Sequence, residues 1–415
     1  MTDSKLKELE LIFPEVDKSA LLEILISCEG SVSKSESLLI EQFPTVKKRK
    51  LNASLQSNIQ SLLKNEQSKG LVSTNTTNSN KPVYLYTKKD VENTCSYATI
   101  HYNFLPPDLA DNVLKFIIND KDGFSSQEFH LFGNKCKSNH CNKLYASKNY
   151  DGVYYNGKKS KYKSNFNDDL KIVQVLIEDF VNKLIAERPR LPFQHITKWK
   201  GDIALCNRYD TKANDLDWHS DRMTYIGPHC TIASLSLGAN REFRIRKMYN
   251  STGSKFNTIY SIPLPHNTLF IMHPGFQEEF KHCVSSSTTL KNHEISNSTR
   301  INLTYRNYLS IFDKYLPHCP KCNAQMDLRR SYKLPQSRGN YIWLCTGGYL
   351  NKECNGFYWA DFSKLGVDST ELSNDEKIKL YTTDSKTASL WIAKDDHEAL
   401  KHFREKIRLQ LRKSN

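Results

Sequence analysis

The chain has 415 residues, enough for roughly two to four domains, and its 59 Lys and Arg against 45 Asp and Glu leave a net charge of +14. That excess points to a polyanionic partner, nucleic acid before a membrane surface. No run approaches the ~18 apolar residues of a membrane span, and the opening MTDSKLKELE lacks the apolar stretch of a secretion signal, so an intracellular soluble protein is expected.

Residues 1–46 read as a three-helix unit. Leu6, Leu9 and Phe13 share one side of a first helix that Pro14 stops. Asp17 caps a second helix carrying Leu21, Leu22 and Leu25, which Gly30 ends, and a third carries Leu38 and Leu39. The pattern Ile12-Phe13-Pro14 with a closing Leu38-Leu39 resembles a CUE domain, although Ile12 stands where that family usually has Met. The resemblance implies binding of ubiquitin or a ubiquitinated protein. A helical docking module without ubiquitin affinity is the plainer alternative, and either would bind a partner and do no chemistry.

Residues 47–82 open on the basic run Lys47-Lys48-Arg49-Lys50 and pass into LVSTNTTNSNKP. So polar a stretch buries too little surface to fold, and reads as a linker. The basic run suits a nuclear localisation signal, which places the protein in the nucleus, although short basic runs also occur on solvated linkers.

Residues 83–314 carry two amphipathic helices, PPDLADNVLKFIIND and DDLKIVQVLIEDFVNKLIAE. Strand-like pieces then dominate: DIALCNRY, TIASLSLG, EFRIRKM, TLFIMH and RINLTYRNYLSIF. Helices followed by short strands predict helices packed against an antiparallel sandwich or jelly roll.

Within that domain His219 and Asp221 lie two apart on an extended segment, so both project to one side and reach one ion. His282, after the strand TLFIMH, is the candidate third ligand. Two imidazoles and a carboxylate form the facial triad of non-haem Fe(II) oxygenases, although zinc hydrolases use a similar set. In RINLTYR, Arg300, Asn302, Thr304 and Arg306 face the same way, and an arginine fork pairs with the carboxylate of a dicarboxylate co-substrate.

The order N-R-Y, H-x-D, a distal His and R-x-N-L-T-Y-R resembles the AlkB family of Fe(II)/2-oxoglutarate dioxygenases over roughly residues 100–310. The resemblance implies His219, Asp221 and His282 as iron ligands. It implies Arg300 on the distal carboxylate of 2-oxoglutarate, with Asn207, Tyr209, Asn302 and Arg306 completing the pocket. The implied reaction uses O2 and is oxidative dealkylation: 2-oxoglutarate is decarboxylated, an N-methyl carbon is hydroxylated, and formaldehyde leaves. A degenerate roll that binds no metal is the alternative.

The segment FHLFGNKCKSNHCNKLYA resembles the part of duplex-acting members that inserts a finger into the base stack, which makes Phe132, between Leu131 and Gly133, the wedge. Tyr154 and Tyr155 fall in the nucleotide-recognition lid and would stack on an extruded base; core packing is the alternative for all three. One position departs: repair members usually carry an acid two residues after the iron-binding Asp, and here it is Met223, which accepts hydrogen bonds only weakly. Arg222 beside it is a candidate for a phosphate contact. Cys136 and Cys141 with His140 lack a second pair of ligands and read as surface thiols.

Residues 315–363 hold Cys319, Cys322, Cys345 and Cys354, the spacing of a structural four-cysteine zinc site. With Gly347-Gly348 and the close Phe357-Tyr358-Trp359, the segment resembles a GRF-type zinc finger. Arg329, Arg330, Lys333, Arg338, Tyr341 and Trp343 mix charge with aromatic faces, a combination suited to single strands. A finger that only packs on the catalytic domain is the alternative. Residues 364–415 form a basic tail whose Leu400, Phe403, Ile407 and Leu411 recur at helical spacing and are expected to dock on the body.

The expected whole is a multidomain α+β protein: a CUE-like bundle, a double-stranded β-helix dioxygenase domain with flanking helices, and a zinc finger. Its expected function is demethylation of alkylated bases in DNA or RNA, in alkylation repair. An AlkB-like oxygenase acting on protein or another modified RNA base, and a non-catalytic ubiquitin and DNA adaptor, are the alternatives.

Overall fold

The computed structural model describes residues 2–13, 21, 25, 31–42, 82–120, 122–131, 134–147, 153–155, 158–160, 163–249, 257–287, 289–309, 312, 316–347, 354–364, 373, 376, 381–386 and 388–414. Pro14, Asp17, Leu22, Gly30, the linker from 47 to 81, Phe132, Gly133 and Gly348 lie outside them, as do the side chains of Leu38, Leu131, Cys136, Tyr154 and Tyr155. Two compact units divide the chain, one of residues 1–81 with 130–134 and one of 82–129 with 135–415.

In the first unit, α1 (Thr2–Ile12) and α2 (Val32–Gln42) bury one apolar cluster. Leu6, Leu9 and Phe13 enter it at the spacing of one helix face, together with Ile12, Leu21, Leu25 and Leu39.

The second unit begins with β1 (Val83–Tyr84), α3 (Lys88–Thr94), β2 (Ala98–Tyr102) and α4 (Pro107–Asn119). Pro107 occupies the first turn of α4, where its missing N–H costs nothing. After β3 (Ser125–Leu131), β4 (Asn134–Ala146), β5 (Val153–Tyr155), β6 (Lys158–Ser160) and β7 (Lys163–Asn165) comes α5 (Asp168–Ala186), capped by the Asn167 side chain on the Leu170 N–H at 2.9 Å. The roll follows: β8 (Ile203–Tyr209), β9 (Leu216–His219), β10 (Ile232–Gly238), β11 (Arg241–Lys247), β12 (Tyr260–Leu264), β13 (Thr268–Met272), the short α6 (Phe276–Glu279), β14 (Phe280–Val284) and β15 (Arg300–Arg306). The expected strand beginning at Arg300 stops at Arg306, and the Leu309 N–H bonds the Tyr225 carbonyl instead of extending the ladder.

Two sheets make the jelly roll. One runs β1-β12-β11-β14-β9; the other runs β2-β13-β10-β15-β8-β4-β3, with β7 added beside β4. Period-two alternation gives the larger sheet two working faces. Ile301, Leu303 and Tyr305 of β15, with Ala233, Leu235 and Leu237 of β10, pack outward on α4 and α5. The opposite face of the same strands meets the smaller sheet, where Phe243, Ile245, Ile262, Phe270 and Met272 close the inter-sheet core.

The C-terminal sheet orders β16 (Met326–Arg330), β17 (Tyr341–Cys345), β18 (Phe357–Ala360) and β19 (Thr382–Thr383). Its apolar core is continuous with the oxygenase side: Met223, Tyr225 and Leu309 share a cluster with Leu328, Tyr341, Trp343, Tyr381 and Trp391. Residues beyond 363, expected as a basic tail, therefore complete this fold through Tyr381, Trp391 and Ala393. The final helix, α7 (His397–Ser414), departs from the docking expected of it. Ala399 is buried, but Ile407 and Leu411 are 39% and 62% exposed, so the apolar stripe leaves the body halfway along.

Candidate active site

Antiparallel pairing of β9 with β14 sets His219 directly opposite His282, with ring centroids 4.2 Å apart. The strand ends at His219, so Asp221 does not share its pleat as the spacing suggested. Asp221 sits in the following loop, where its backbone N–H donates to Gln277 Oε1 at 2.7 Å. From there Asp221 Oδ1 lies 3.8 Å from His219 Nε2 and 3.7 Å from His282 Nε2. One ligand atom from each of the three residues falls within 4.8 Å of the others.

Hydrogen bonds and burial fix the form of the three groups. His219 Nδ1 lies 2.7 Å from the Asp217 carbonyl, which can only accept, so Nδ1 carries the proton and Nε2 offers its lone pair to the centre. Burial, reinforced by His219, pushes His282 down to about 3 and keeps its imidazole neutral. Burial would raise the Asp221 carboxyl, but the Arg306 guanidinium, with the two histidines, outweighs it and holds the group below the usual carboxylate range. Arg306 donates to Oδ2 from Nε at 2.7 Å and from Nη2 at 2.6 Å, leaving Oδ1 for the imidazole side. Arg306, expected in the co-substrate pocket, is thus the clamp on the carboxylate. Two imidazole nitrogens and an ionised carboxylate suit an octahedral Fe(II) with open positions, and the donor set fits that ion.

The wall beside this triad comes from the larger sheet. Register sets Arg300 opposite Tyr209, and Asn302 between Asn207 on β8 and Ser236 on β10. Arg300 is fully buried, and its Nη2 donates to Ser236 Oγ at 2.8 Å and Asn302 Oδ1 at 3.3 Å. Its Nε and Nη1 make no well-formed hydrogen bond, although the Tyr209 side chain favours its charge, and no carboxylate among the described residues pairs with it. Burial lowers its pKa to about 10, still far above neutrality, so a cation with two unused donors faces the inter-sheet space. A buried uncompensated charge costs several kcal/mol, about 3–5 when a partner is lost, and an anionic ligand removes that cost. A buried guanidinium with donors to spare and no counterion matches a carboxylate, so 2-oxoglutarate fits the site. Asn207 Oδ1 is likewise buried without a partner, and Tyr209 packs its ring 5.3 Å from the Arg300 guanidinium.

The four cysteine sulfurs also converge within 4.8 Å, with Cys319 and Cys354 at 3.5 Å and Cys322 and Cys345 at 3.3 Å. A tetrahedral zinc with Zn–S near 2.3 Å spaces its sulfurs about 3.8 Å apart, a spacing that sulfurs lying from 3.3 Å to within 4.8 Å of one another bracket, so the set fits zinc. A Cβ built on Gly356 would stand 2.2 Å from Cys319 Sγ, which explains the glycine.

Other expected residues fall elsewhere. Met223 is buried in the apolar cluster shared with the C-terminal sheet, because the loop after Asp221 turns into that core. Arg222 pairs with Asp327 at 3.3 Å, so the geometry gives it a protein partner where a phosphate had been expected. Trp343, Tyr341, Arg330 and Arg338 are buried, not presented to a strand. The outer face of that sheet instead carries Ile342, Leu344, Phe357 and Trp359, with the Lys386 ammonium 5.6 Å from the Trp359 ring. His140, read as part of a weak thiol cluster, stacks on Tyr209 at 5.1 Å and meets the Asp215 carbonyl at 3.1 Å. Gln277 escaped sequence reading altogether. It sits on a four-residue helix too short for a periodic signal, entered through Gly275 at φ +96, where the Tyr97 ring leaves no room for a side chain.

Residues 97–306 match the family model described as the 2OG-Fe(II) oxygenase superfamily. The Bos taurus protein named alpha-ketoglutarate-dependent dioxygenase alkB homolog 3 is 39% identical over 105 residues, 25% of this chain and 35% of that protein. Its Homo sapiens counterpart is 38% identical over the same coverage. The Arabidopsis thaliana DNA oxidative demethylase ALKBH2 is 29% identical over 119 residues, 25% of this chain and 36% of that protein. The chain thus spans about a third of the length of these relatives. A solved structure of OsALKBH1 aligns with 51% of this chain and 97% of its own at 17% identity and a TM-score of 0.38. With the matched region covering half of its length and enclosing the triad and Arg300, the chain belongs to the 2OG-Fe(II) oxygenase superfamily, with an AlkB-like oxygenase domain.

Proposed function

We propose that the protein is an Fe(II)- and 2-oxoglutarate-dependent demethylase of alkylated bases in nucleic acid, DNA before RNA, acting in alkylation repair in the nucleus. The observation that carries this reading is the His219, Asp221, His282 triad beside a buried arginine that lacks a counterion. The names of the partial relatives, which include a DNA oxidative demethylase, support the substrate class, as does the net charge of +14.

His219 Nε2, Asp221 Oδ1 and His282 Nε2 would hold the iron, and Arg300 the distal carboxylate of 2-oxoglutarate, with Asn207, Tyr209 and Asn302 around it. When bound, iron and 2-oxoglutarate activate O2 so that a substrate N-methyl carbon is oxidised and lost as formaldehyde. The Arg306 clamp keeps Asp221 ionised and aims a single oxygen at the centre. The Asp217 carbonyl holds the His219 tautomer, and Phe243 and Phe276 pack around His282 at 5.4 and 5.9 Å to limit water.

The four-cysteine cluster would take structural zinc, and the outer face with Phe357, Trp359 and Lys386 would support a single strand by stacking and charge. The N-terminal unit would bind ubiquitin or a ubiquitinated partner, and Phe132, Tyr154 and Tyr155 would engage the extruded base. The burial of Met223 and the pairing of Arg222 favour a second reading, a substrate recognised without the acid usual two residues after the iron-binding Asp: another modified RNA base, or protein.

The test is anaerobic reconstitution with iron, followed by 2-oxoglutarate turnover and mass detection on methylated DNA, RNA and peptide panels. Demethylated DNA from wild type but not from His219→Ala supports the reading. Turnover on peptide alone would replace it, and no turnover on any panel would refute it.

A further inference from the structure

We infer that strand β16 of the C-terminal sheet is a positioning element of the iron site, gripping from two sides the loop that carries Asp221; the inference rests on the proposed iron site.

The first grip is at Asp327. This buried carboxylate accepts from Arg222 Nη1 at 3.3 Å and from Thr224 Oγ1 at 3.3 Å, and Thr224 Oγ1 in turn accepts the Leu328 N–H at 3.1 Å. The residues one and three positions after the ligand are therefore tied to a single strand. Met223 between them is sealed into the shared apolar core.

The second grip is at Arg330, three residues along the same strand. Its Nη1 donates to the Glu278 carbonyl at 2.6 Å, and its Nη2 to Glu279 Oε1 at 3.1 Å and the Trp391 carbonyl at 3.2 Å. Tyr341 on β17 adds a hydroxyl bond to Glu278 Oε1 at 3.3 Å. Glu278 and Glu279 belong to α6, whose remaining polar residue, Gln277, holds the Asp221 amide. A helix of four residues has almost no stability of its own, so its position is set by what it is bonded to. The line from Arg330 through α6 and Gln277 to Asp221 is bonded throughout and buried as far as Gln277.

A ligand carboxylate must be held to within about half an ångström, and losing the partners that orient a ligand weakens metal affinity by about 10–100-fold. The C-terminal sheet would then matter to iron affinity itself and not only to strand delivery. Arg338 supplies a matched control: its pair with Asp396 is as buried as that of Arg330 with Glu279, lies in the same module, and none of its hydrogen bonds reaches α6 or residues 221–224.

The experiment is Co(II) titration of the full-length protein at the His/Asp/His site, read by the absorption that a His219→Ala blank removes, with Tm recorded for each variant. Asp327→Asn and Arg330→Met should each weaken Co(II) binding about 10-fold, while Arg338→Met lowers Tm comparably but stays within about 2-fold of wild type. Wild-type affinity in both β16 variants would overturn the inference, and so would an equal loss in Arg338→Met, which would make the module a general stabiliser. If wild type itself bound no Co(II) at the triad, the iron-site reading would fall, and the inference with it.

Discussion

Arg300 and Arg330 are both buried and both pack against an aromatic ring, one on a central strand and one on the edge strand β16, yet they answer opposite needs. Arg330 has Glu279 as its counterion and also donates to the Glu278 and Trp391 carbonyls. Arg300 keeps two N–H groups without a well-formed hydrogen bond and has no carboxylate beside it. A buried cation with a counterion is part of the fold. One without is a request for a ligand, and here it stands on the strand whose Arg306 holds Asp221.

Substitutions can break that contrast directly. The largest effect is expected at the triad: His219→Ala or Asp221→Ala should abolish 2-oxoglutarate turnover and metal retention, read by decarboxylation and metal analysis. Next, Arg300→Met should weaken 2-oxoglutarate binding about 100-fold, as expected for about 3 kcal/mol of lost charge-assisted hydrogen bonds, with no loss of stability in the unliganded protein. Arg330→Met should do the reverse, costing about 1–3 kcal/mol in denaturant unfolding because buried Glu279 loses one of its two cationic partners and keeps Lys247. A co-substrate effect at Arg330 equal to that at Arg300 would erase the distinction.

Gly356→Ala should drive a methyl into Cys319 Sγ, lowering the metal content of the cysteine cluster and the melting temperature of the protein. The smallest effect is a pH dependence. Burial holds His273 down to about 3, so the unfolded chain binds its proton more readily, and stability is full above pH 6.5 and declines as pH falls toward 3. His273→Gln should flatten the Tm profile across that window.

Much of the site was legible because its chemistry lies on strands. The alternation of Arg300, Asn302, Thr304 and Arg306 put them on one face, and register then brought Asn207 and Tyr209 alongside. Loops and short helices gave less away. Asp221 left the strand that seemed to carry it, Arg306 turned to the carboxylate, and Gln277 sat on one helical turn with no period to read. In the C-terminal region, composition alone could not assign faces: Trp343, Tyr341 and Arg330 looked like a strand-binding surface and are core, because the sheet packs that side on the oxygenase loop. The segment from 381 to 393 lacked any cysteine or motif, and only packing revealed that Tyr381 and Trp391 finish the module.

The most direct measurement is a 2-oxoglutarate titration in the presence of Mn(II), comparing wild type with Arg300→Met. The expected result is saturable binding by wild type that weakens about 100-fold in the variant while its unliganded Tm holds or rises. Equal binding by the two proteins, or none by wild type, would contradict the assignment of this buried arginine as the co-substrate anchor.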